Sequence, residues 1–108
     1  RLDLMAAGAD GEIWGLEVKS GLADLRADQK WGGYLEWCDR FFFGVGAAFP
    51  LDALPGEHGV FRADAYGAEM VRPSALRKLA PARRKALMLK LARHAALRLQ
   101  ALEEPPLR

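Results

Sequence analysis

The sequence predicts one α/β (α+β) domain in which a mixed β-sheet is flanked by helices. Three observations predict it: a hairpin-like start, a buried aromatic run in the middle and an amphipathic helix at the end. With 108 residues the chain has the length of one domain, covering residues 1–108. Hydrophobic residues make up 51% and charged residues 28%, which is typical of a soluble globular protein. The expected order of elements is β-β-α-β-β-β-α.

The first two elements form a predicted β-hairpin. Residues 1–7 and 12–19 alternate or run apolar, as strands do. Gly8-Ala9-Asp10-Gly11 lies between them. Glycine and aspartate tolerate positive φ, so this segment is a typical hairpin turn.

The middle of the chain predicts one helix and three strands. Residues 21–37 have helical apolar spacing, weakened near the end by Gly32-Gly33. The aromatic run 40–45 predicts a buried strand at the centre of the sheet, and residues 59–63 and 67–71 predict two more strands around a turn. Asp64 is expected to shape that turn.

A long final helix should begin at Pro81, whose missing N–H costs nothing at the first helical position. Leu87, Leu91, Ala95 and Leu99 recur every fourth residue and form an apolar stripe. At the other end, the chain opens on Arg1 and enters a strand at once. We therefore expect an N-terminally incomplete domain that lacks an upstream helix.

Composition limits the cellular setting. Cys38 is the single cysteine and cannot form an internal disulfide. No apolar run approaches the roughly 20 residues of a membrane-spanning helix, so we expect a cytoplasmic protein without membrane contact. Charge is uneven: residues 1–71 hold 6 Lys and Arg against 12 Asp and Glu, and residues 72–108 hold 10 against 2. Two interpretations explain this asymmetry. An acidic metal-binding half lies beside a basic phosphate-facing half, or the basic residues form a solvated helix.

The candidate site lies on the predicted hairpin. Side chains alternate along a strand, so Glu17 and Lys19 point the same way. A turn around residues 8–11 pairs residues whose numbers sum to about 19 to 21, which places Asp3 opposite the Glu17-Val18 region. Two carboxylates and one ammonium therefore converge on one face of the sheet.

Two close carboxylates repel each other unless a cation compensates. Mg²⁺ or Mn²⁺ suits them, since such ions combine one or two carboxylates with waters and phosphate oxygens. Asp3, Glu17 and the Val18 carbonyl are the predicted metal ligands. A metal there would activate a water and stabilise charge on a phosphate, with Lys19 orienting the water or neutralising the transition state. Phosphodiester hydrolysis is the implied reaction.

Asp3, a turn and then Glu17-Val18-Lys19 on a second strand resemble the PD-(D/E)XK nuclease superfamily. The spacing alone is a weak pattern, but a wider set of residues is similar to the MmcB family of bacterial DNA repair proteins over nearly the whole chain. That set comprises Asp3-Leu4-Met5, Glu12-Ile13-Trp14, Glu17-Val18-Lys19-Ser20, Asp24, Asp28, Lys30-Trp31, Tyr34, Cys38-Asp39-Arg40-Phe41, Ala63-Asp64-Ala65-Tyr66-Gly67-Ala68-Glu69 and Ala80-Pro81-Ala82-Arg83-Arg84-Lys85-Ala86-Leu87.

The resemblance implies a restriction-endonuclease-like core and a DNA repair endonuclease, with Asp3, Glu17 and Lys19 at the catalytic positions. Two departures stand out. Leu2 replaces the leading proline of the motif, and the upstream helix that often adds a carboxylate is not in the sequence. Neither departure removes a central ligand.

DNA is the expected partner. Lys30 and Tyr34 are four residues apart and are expected to share a helix face. Tyr34 resembles the tyrosines that some nucleases of this superfamily place beside the metal. Arg83, Arg84 and Lys85 on the final helix are candidate phosphate contacts, giving salt-dependent binding without sequence recognition. A solubilising basic face is the alternative.

Other residues have competing interpretations. Asp24 either helps to hold the candidate site or is simply solvated, and both interpretations are open. Ordinary solvation is favoured for Asp28. Core packing is favoured over base stacking for the tryptophans, and a buried thiol for Cys38. His58 and His94 are isolated and suggest no ligand set. The tryptophans are Trp14, Trp31 and Trp37.

The leading hypothesis is a Mg²⁺- or Mn²⁺-dependent DNA endonuclease. The first alternative is a non-catalytic protein of the same fold that binds a DNA structure or a repair partner. The second is a structural protein in which Asp3, Glu17 and Lys19 form an exposed cross-strand ladder of salt bridges. A homodimer is also open, by analogy with nucleases in which one site cuts one strand.

Overall fold

A computed structural model describes residues 2–28 and 30–103. The order of strands and α-helices is the predicted one, and the chain folds as a mixed sheet with helices. The elements are β1 (Leu4–Ala7), β2 (Ile13–Val18), α1 (Leu22–Ala27), a 3-10 helix (Trp31–Trp37), β3 (Arg40–Val45), a 3-10 turn (Leu51–Ala53), β4 (Gly59–Asp64), β5 (Gly67–Arg72) and α2 (Pro81–Glu103).

The strands form one five-stranded sheet in the order β1-β2-β3-β4-β5. The two outer pairs, β1 with β2 and β4 with β5, are antiparallel, whereas β3 pairs in parallel with β2 and β4. The aromatic strand β3 is therefore central, as predicted. Because β2, β3 and β4 run the same way, their carboxyl ends meet at one edge of the sheet, which is where open α/β sheets often carry ligand sites.

Both predicted turns form as the residue types require. Gly11 has φ of +83°, and its N–H donates to the Gly8 carbonyl at 3.0 Å, which closes the β1–β2 turn. In the β4–β5 turn, Asp64 Oδ1 accepts from the N–H groups of Tyr66 and Gly67 at 2.8 and 3.1 Å. Asp64 therefore shapes its turn, as expected.

The prediction of one helix over residues 21–37 was wrong. Helix α1 ends at Ala27, Asp28 has an extended backbone, and the chain resumes as the 3-10 helix Trp31–Trp37. Glycine lowers α-helical stability by about 1 kcal/mol per residue, and Gly32-Gly33 lies inside the second segment. The break places Asp28 in a loop beside the end of β2 rather than on a helix surface.

The hydrophobic core lies on one side of the sheet. Ile13, Phe41, Phe43 and Val45 point to this side and are at most 3% exposed. Side chains from the 3-10 helix and α2 cover them, including Trp31 and the buried Leu87. Further members of the core cluster are Cys38, Phe49, Leu54, Val60 and Leu79.

Asp39 fastens α2 to the sheet. Its carboxylate is 2% exposed and accepts from the N–H groups of Ile13 at 2.7 Å and Leu79 at 2.9 Å. The Arg84 guanidinium donates to both carboxylate oxygens, at 2.7 and 2.6 Å. This bidentate contact holds the pKa of Asp39 at about 2, mainly through the Arg84 hydrogen bonds.

The opposite side of the sheet is also apolar. Trp14 packs on Phe42 and Phe61, with ring centroids 4.7 and 6.3 Å apart, while Leu4 and Val18 are more than half exposed. Glu17, at the end of β2, points to the core side, and Lys19 follows it there. Within residues 2–28 and 30–103, no helix has both the length and the apolar character needed to cross a membrane.

Candidate metal centre

Asp3 and Glu17 meet across the hairpin, as the turn arithmetic predicts. The observed register pairs Leu4 with Leu16, which puts Asp3 level with Glu17. The Asp3 N–H donates to Glu17 Oε1 at 3.3 Å, and the Val18 N–H donates to Asp3 Oδ2 at 2.8 Å. Glu17 is only 6% exposed, whereas Asp3 is exposed. One carboxylate therefore faces solvent and the other is enclosed.

The two carboxyl groups have opposite protonation tendencies. The pKa of Asp3 is lowered, first by the Val18 N–H and then by a side-chain hydrogen bond with Glu17. The pKa of Glu17 is raised, first by burial and then by the hydrogen bond and the charge of Asp3. Within the pair, Glu17 is therefore the group that releases its proton at the higher pH.

Lys19 lies on the same face as Glu17, also as predicted. Its side chain is 4% exposed, and its ammonium forms an ion pair with Asp28. Burial opposes the charge of Lys19, but the hydrogen bond and charge of Asp28, with the charges of Asp24 and Glu17, outweigh it and raise the pKa. Lys19 is therefore a cation at neutral pH.

Asp28 is the site residue that the sequence interpretation missed, because ordinary solvation was favoured for it. One carboxylate oxygen pairs with Lys19 and the other accepts the Lys30 N–H at 2.7 Å. These contacts lower its pKa. A usable signal was present: Asp28 and Asp24 are four residues apart, directly after the motif, and both bring negative charge towards Lys19.

Asp24 supports the end of β2. Its Oδ2 accepts from the N–H and the hydroxyl of Ser20 at 3.1 and 3.3 Å, and this fixes the chain immediately after Lys19. The supporting role left open for Asp24 is therefore the observed one. Tyr34 reaches the site from the 3-10 helix, where its pKa is raised by burial and then by the charges of Glu17, Asp28 and Asp3.

The carbonyl of Val18 faces the same side as its N–H. Lys19 N–H donates to the Gly44 carbonyl at 2.9 Å, so this residue bonds towards β3. The backbone of Val18 is directed to the other neighbouring strand, β1, since its N–H donates to Asp3. In an extended strand the N–H and C=O of one residue point to the same neighbour.

Among the described residues no group of three or more His, Cys, Asp and Glu side chains is arranged to hold a metal.

Comparisons with known proteins show which family the chain belongs to. A protein-family model described as "DNA repair protein MmcB-like" matches residues 1–106. The chain belongs to the MmcB-like family of DNA repair proteins. A solved structure, described as the SPO1766 protein of unknown function from Silicibacter pomeroyi, is similar at 58% identity with a TM-score of 0.89. The match covers 97% of this chain and 72% of that one. A comparison with curated proteins found no match.

Membership in the MmcB-like family supports a DNA repair role, so the cationic residues are relevant. Lys30 and Lys85 are exposed. Arg83 lies over the Trp37 ring at 4.4 Å and donates to the Glu36 carbonyl at 3.1 Å. Arg84 differs from the others because its guanidinium is occupied by Asp39 and by the Gly11 carbonyl at 2.8 Å. The structure gives Arg84 a structural role in place of the predicted phosphate contact.

The aromatic and thiol residues behave mostly as core. Trp31 packs against Phe43 at 5.3 Å between centroids, and Cys38 is buried, which raises the pKa of its thiol to about 11. His58 is buried as well and packs edge-on against Trp31 at 5.2 Å. Trp37 is the exception, since it is 43% exposed.

Proposed function

We propose that this MmcB-like protein is a metal-dependent DNA endonuclease of the PD-(D/E)XK superfamily that acts in repair. One observation carries the proposal: Asp3, Glu17 and Lys19 converge at the carboxyl end of β2, where two adjacent carboxyl groups lie beside a buried ammonium. Such an arrangement has a cost without a ligand, because Glu17 is buried beside another carboxylate. A divalent cation bound by Asp3 and Glu17 would offset that cost by balancing their negative charges.

The donor set fits a hard cation such as Mg²⁺ or Mn²⁺. Asp3 and Glu17 supply carboxylate oxygens, and the Val18 carbonyl points to the same side as Asp3. Magnesium takes only one or two protein carboxylates and keeps several waters, so a third acidic side chain is not required. A cation held there would supply two kinds of chemistry, a lower pKa for a bound water and neutralisation of charge on a phosphate oxygen.

Lys19 has an electrostatic task in this mechanism. Its pKa is raised, so the side chain carries its proton at neutral pH and does not serve as a general base. The ammonium instead orients the attacking water and stabilises negative charge that develops on the phosphate. Asp28 and Asp24 are positioning residues: Asp28 holds the ammonium, and Asp24 fixes the backbone of Ser20 after it.

The cationic side chains supply contacts to the DNA backbone. Lys30 follows Asp28 closely in the chain and is exposed beside the site, while Lys85 is exposed on α2. Arg83 remains 37% exposed despite its contacts with Glu36 and Trp37. Phosphate contacts of this kind give affinity that falls steeply with salt, without base recognition.

A cleavage assay with Mg²⁺ or Mn²⁺ on nicked, flapped, branched and single-stranded DNA tests the proposal. We expect the parent protein to cut at least one of these substrates, and Glu17→Gln and Lys19→Met to lose at least about 100-fold in rate, as removal of an electrostatic stabiliser does. Asp52→Asn, at an exposed position far along the chain, is the matched control. Binding to these DNAs without metal-dependent cleavage would instead establish a non-catalytic DNA-structure-binding protein.

A further inference from the structure

A groove lies between β1, the 3-10 helix and α2, and we call it the α2 groove. It has a volume of about 490 Å³, within the range of small-ligand pockets. One wall comes from the 3-10 helix, another from α2, and the floor from the start of the chain and β1. Its lining includes Met5, Tyr34, Trp37, Lys90, Leu91 and His94.

The groove opens next to the proposed metal centre. Met5 is two residues from Asp3, so both side chains point to the same face of the sheet, and the two residues are about 7 Å apart along the strand. Tyr34 connects the groove to the metal centre. It lines the groove, and the charges of Glu17 and Asp3 are near enough to help raise its pKa. A strand whose phosphate lies at the carboxylates therefore has its neighbouring nucleotide at the mouth of the groove.

The chemistry of the lining selects a ligand with a flat apolar part and a negative charge. Trp37 is 43% exposed, and the Arg83 guanidinium lies over its ring at 4.4 Å from the centroid. Among the described residues, the lining contains Lys90 and His94 and no carboxylate. Helix α2 has six arginines and lysines and one glutamate over its described length. That charge disfavours a second copy of α2 as the occupant and favours an anion.

We propose that the α2 groove binds an unpaired nucleotide of the strand that is cut, with its base against Tyr34 and Trp37 and its phosphate near Lys90. The proposal deepens the proposed function and rests on it: it names DNA with an unpaired stretch as the preferred substrate class. A base inside a duplex is stacked and paired and does not enter such a groove, whereas an unpaired base stacks on aromatic side chains without a sequence requirement.

Fluorescence anisotropy tests the groove separately from cleavage. The probes are a labelled single strand, a blunt duplex of equal length and the same duplex with an unpaired tail, all measured in EDTA. We expect the single strand and the tailed duplex to bind about tenfold more tightly than the blunt duplex, and Trp37→Ala to lose most of that preference. Asp52→Asn, at an exposed position outside the groove lining, should keep it.

A matched pair of variants on α2 controls for charge and folding. Leu91→Glu places a carboxylate in the groove, whereas Leu97→Glu places the same charge on a side chain that is 59% exposed and outside the lining. Only Leu91→Glu should remove the preference for unpaired DNA. Circular dichroism shows whether each variant is folded, and Trp37→Ala gives a second readout if Leu91→Glu is not.

The outcomes separate the two proposals. Cleavage by the parent together with equal binding of all three probes overturns the groove proposal alone. Preference for unpaired DNA that Leu91→Glu removes, without cleavage of any substrate, overturns the nuclease and retains the groove. If no probe binds, or if sedimentation shows a dimer that Leu91→Glu dissociates while DNA binding is unchanged, the groove is not a nucleotide site.

Discussion

Asp3 and Glu17 contact each other across the first hairpin: the Asp3 N–H donates to Glu17 Oε1 at 3.3 Å while the Asp3 carboxylate accepts from Val18 at 2.8 Å. Both carboxylates are thereby fixed in position before any ligand arrives. Preorganised groups of this kind lose little conformational entropy on binding a cation. The same contact sets the acid–base behaviour from which the first prediction follows.

Glu17→Gln should stabilise the metal-free protein at pH 7. The pKa of Glu17 is raised above 4.5 by burial and by Asp3, so the folded state holds that proton more tightly than the unfolded chain. Stability from this group is present below pH 4.5 and is lost as pH rises through the higher folded pKa. Glutamine removes the ionisation, and we expect a gain on the order of 1 kcal/mol, or several degrees in Tm.

Thermal unfolding in EDTA at pH 4 and pH 7 measures this effect. The difference in Tm between Glu17→Gln and the parent should be larger at pH 7 than at pH 4. Glu69→Gln, at an exposed position on β5, serves as the control and should melt like the parent at both values. If Glu17→Gln is less stable than the parent at pH 7, then the ionised Glu17 side chain does not destabilise the folded state.

Asp28→Asn should lower the pKa of Lys19. Burial opposes the charge of this ammonium, and Asp28 is the main compensating group. Once the carboxylate is gone, burial weighs more heavily and Lys19 releases its proton at lower pH than in the parent. Any cleavage activity should accordingly decline earlier on the alkaline side.

Nuclear magnetic resonance of labelled lysine side chains follows the titration of Lys19 without relying on catalysis. Asp52→Asn leaves the ion pair intact and should titrate like the parent. An unchanged Lys19 titration in Asp28→Asn would mean that Asp28 does not hold the charge.

Asp39→Asn should destabilise the fold severely. The buried carboxylate accepts from Ile13 and Leu79 and pairs with Arg84, so its neutralisation leaves Arg84 uncompensated. Loss of one partner of a buried ion pair costs about 3–5 kcal/mol, a large part of the stability of a small domain. Urea unfolding followed by circular dichroism measures the change, with Asp52→Asn as control, and equal midpoints would contradict the assigned role.

Acid provides a second test of the same contact. The pKa of Asp39 is held at about 2, below the ordinary value of 3.8, so its contribution to stability is present above pH 3.8. That contribution is lost as pH falls from 3.8 towards 2. The Tm of the parent should drop over this interval, and Asp39→Asn should lack that part of the drop.

The sheet and the carboxylate pair were predictable because both depend on local rules. Alternation along β2 puts Glu17 and Lys19 on one face, and the glycine-rich turn fixes the sum of paired residue numbers, which sets Asp3 opposite Glu17. The aromatic run of β3 predicts a central strand because a strand buried on both faces needs no polar alternation.

The remainder depends on tertiary contacts that spacing does not encode. Asp28 pairs with Lys19 only because the chain leaves the α-helix at Ala27, and the predicted continuous helix pointed Asp28 to solvent. Arg84 looks like its neighbours Arg83 and Lys85 in sequence, yet it alone meets Asp39, which is 45 residues away. Basic residues on one helix therefore divide into structural and surface groups only in three dimensions.

Calorimetric titration of Mn²⁺ into the parent protein, Asp3→Asn, Glu17→Gln and Asp52→Asn tests the metal centre most directly. We expect Mn²⁺ to bind the parent and Asp52→Asn saturably. The affinity of Asp3→Asn and of Glu17→Gln should be at least about tenfold weaker, since each substitution removes one of the two charged ligands. Affinity in the parent should also fall at acid pH, as Glu17 retains its proton. Equal, weak heats in all four proteins would show that Asp3 and Glu17 do not bind metal.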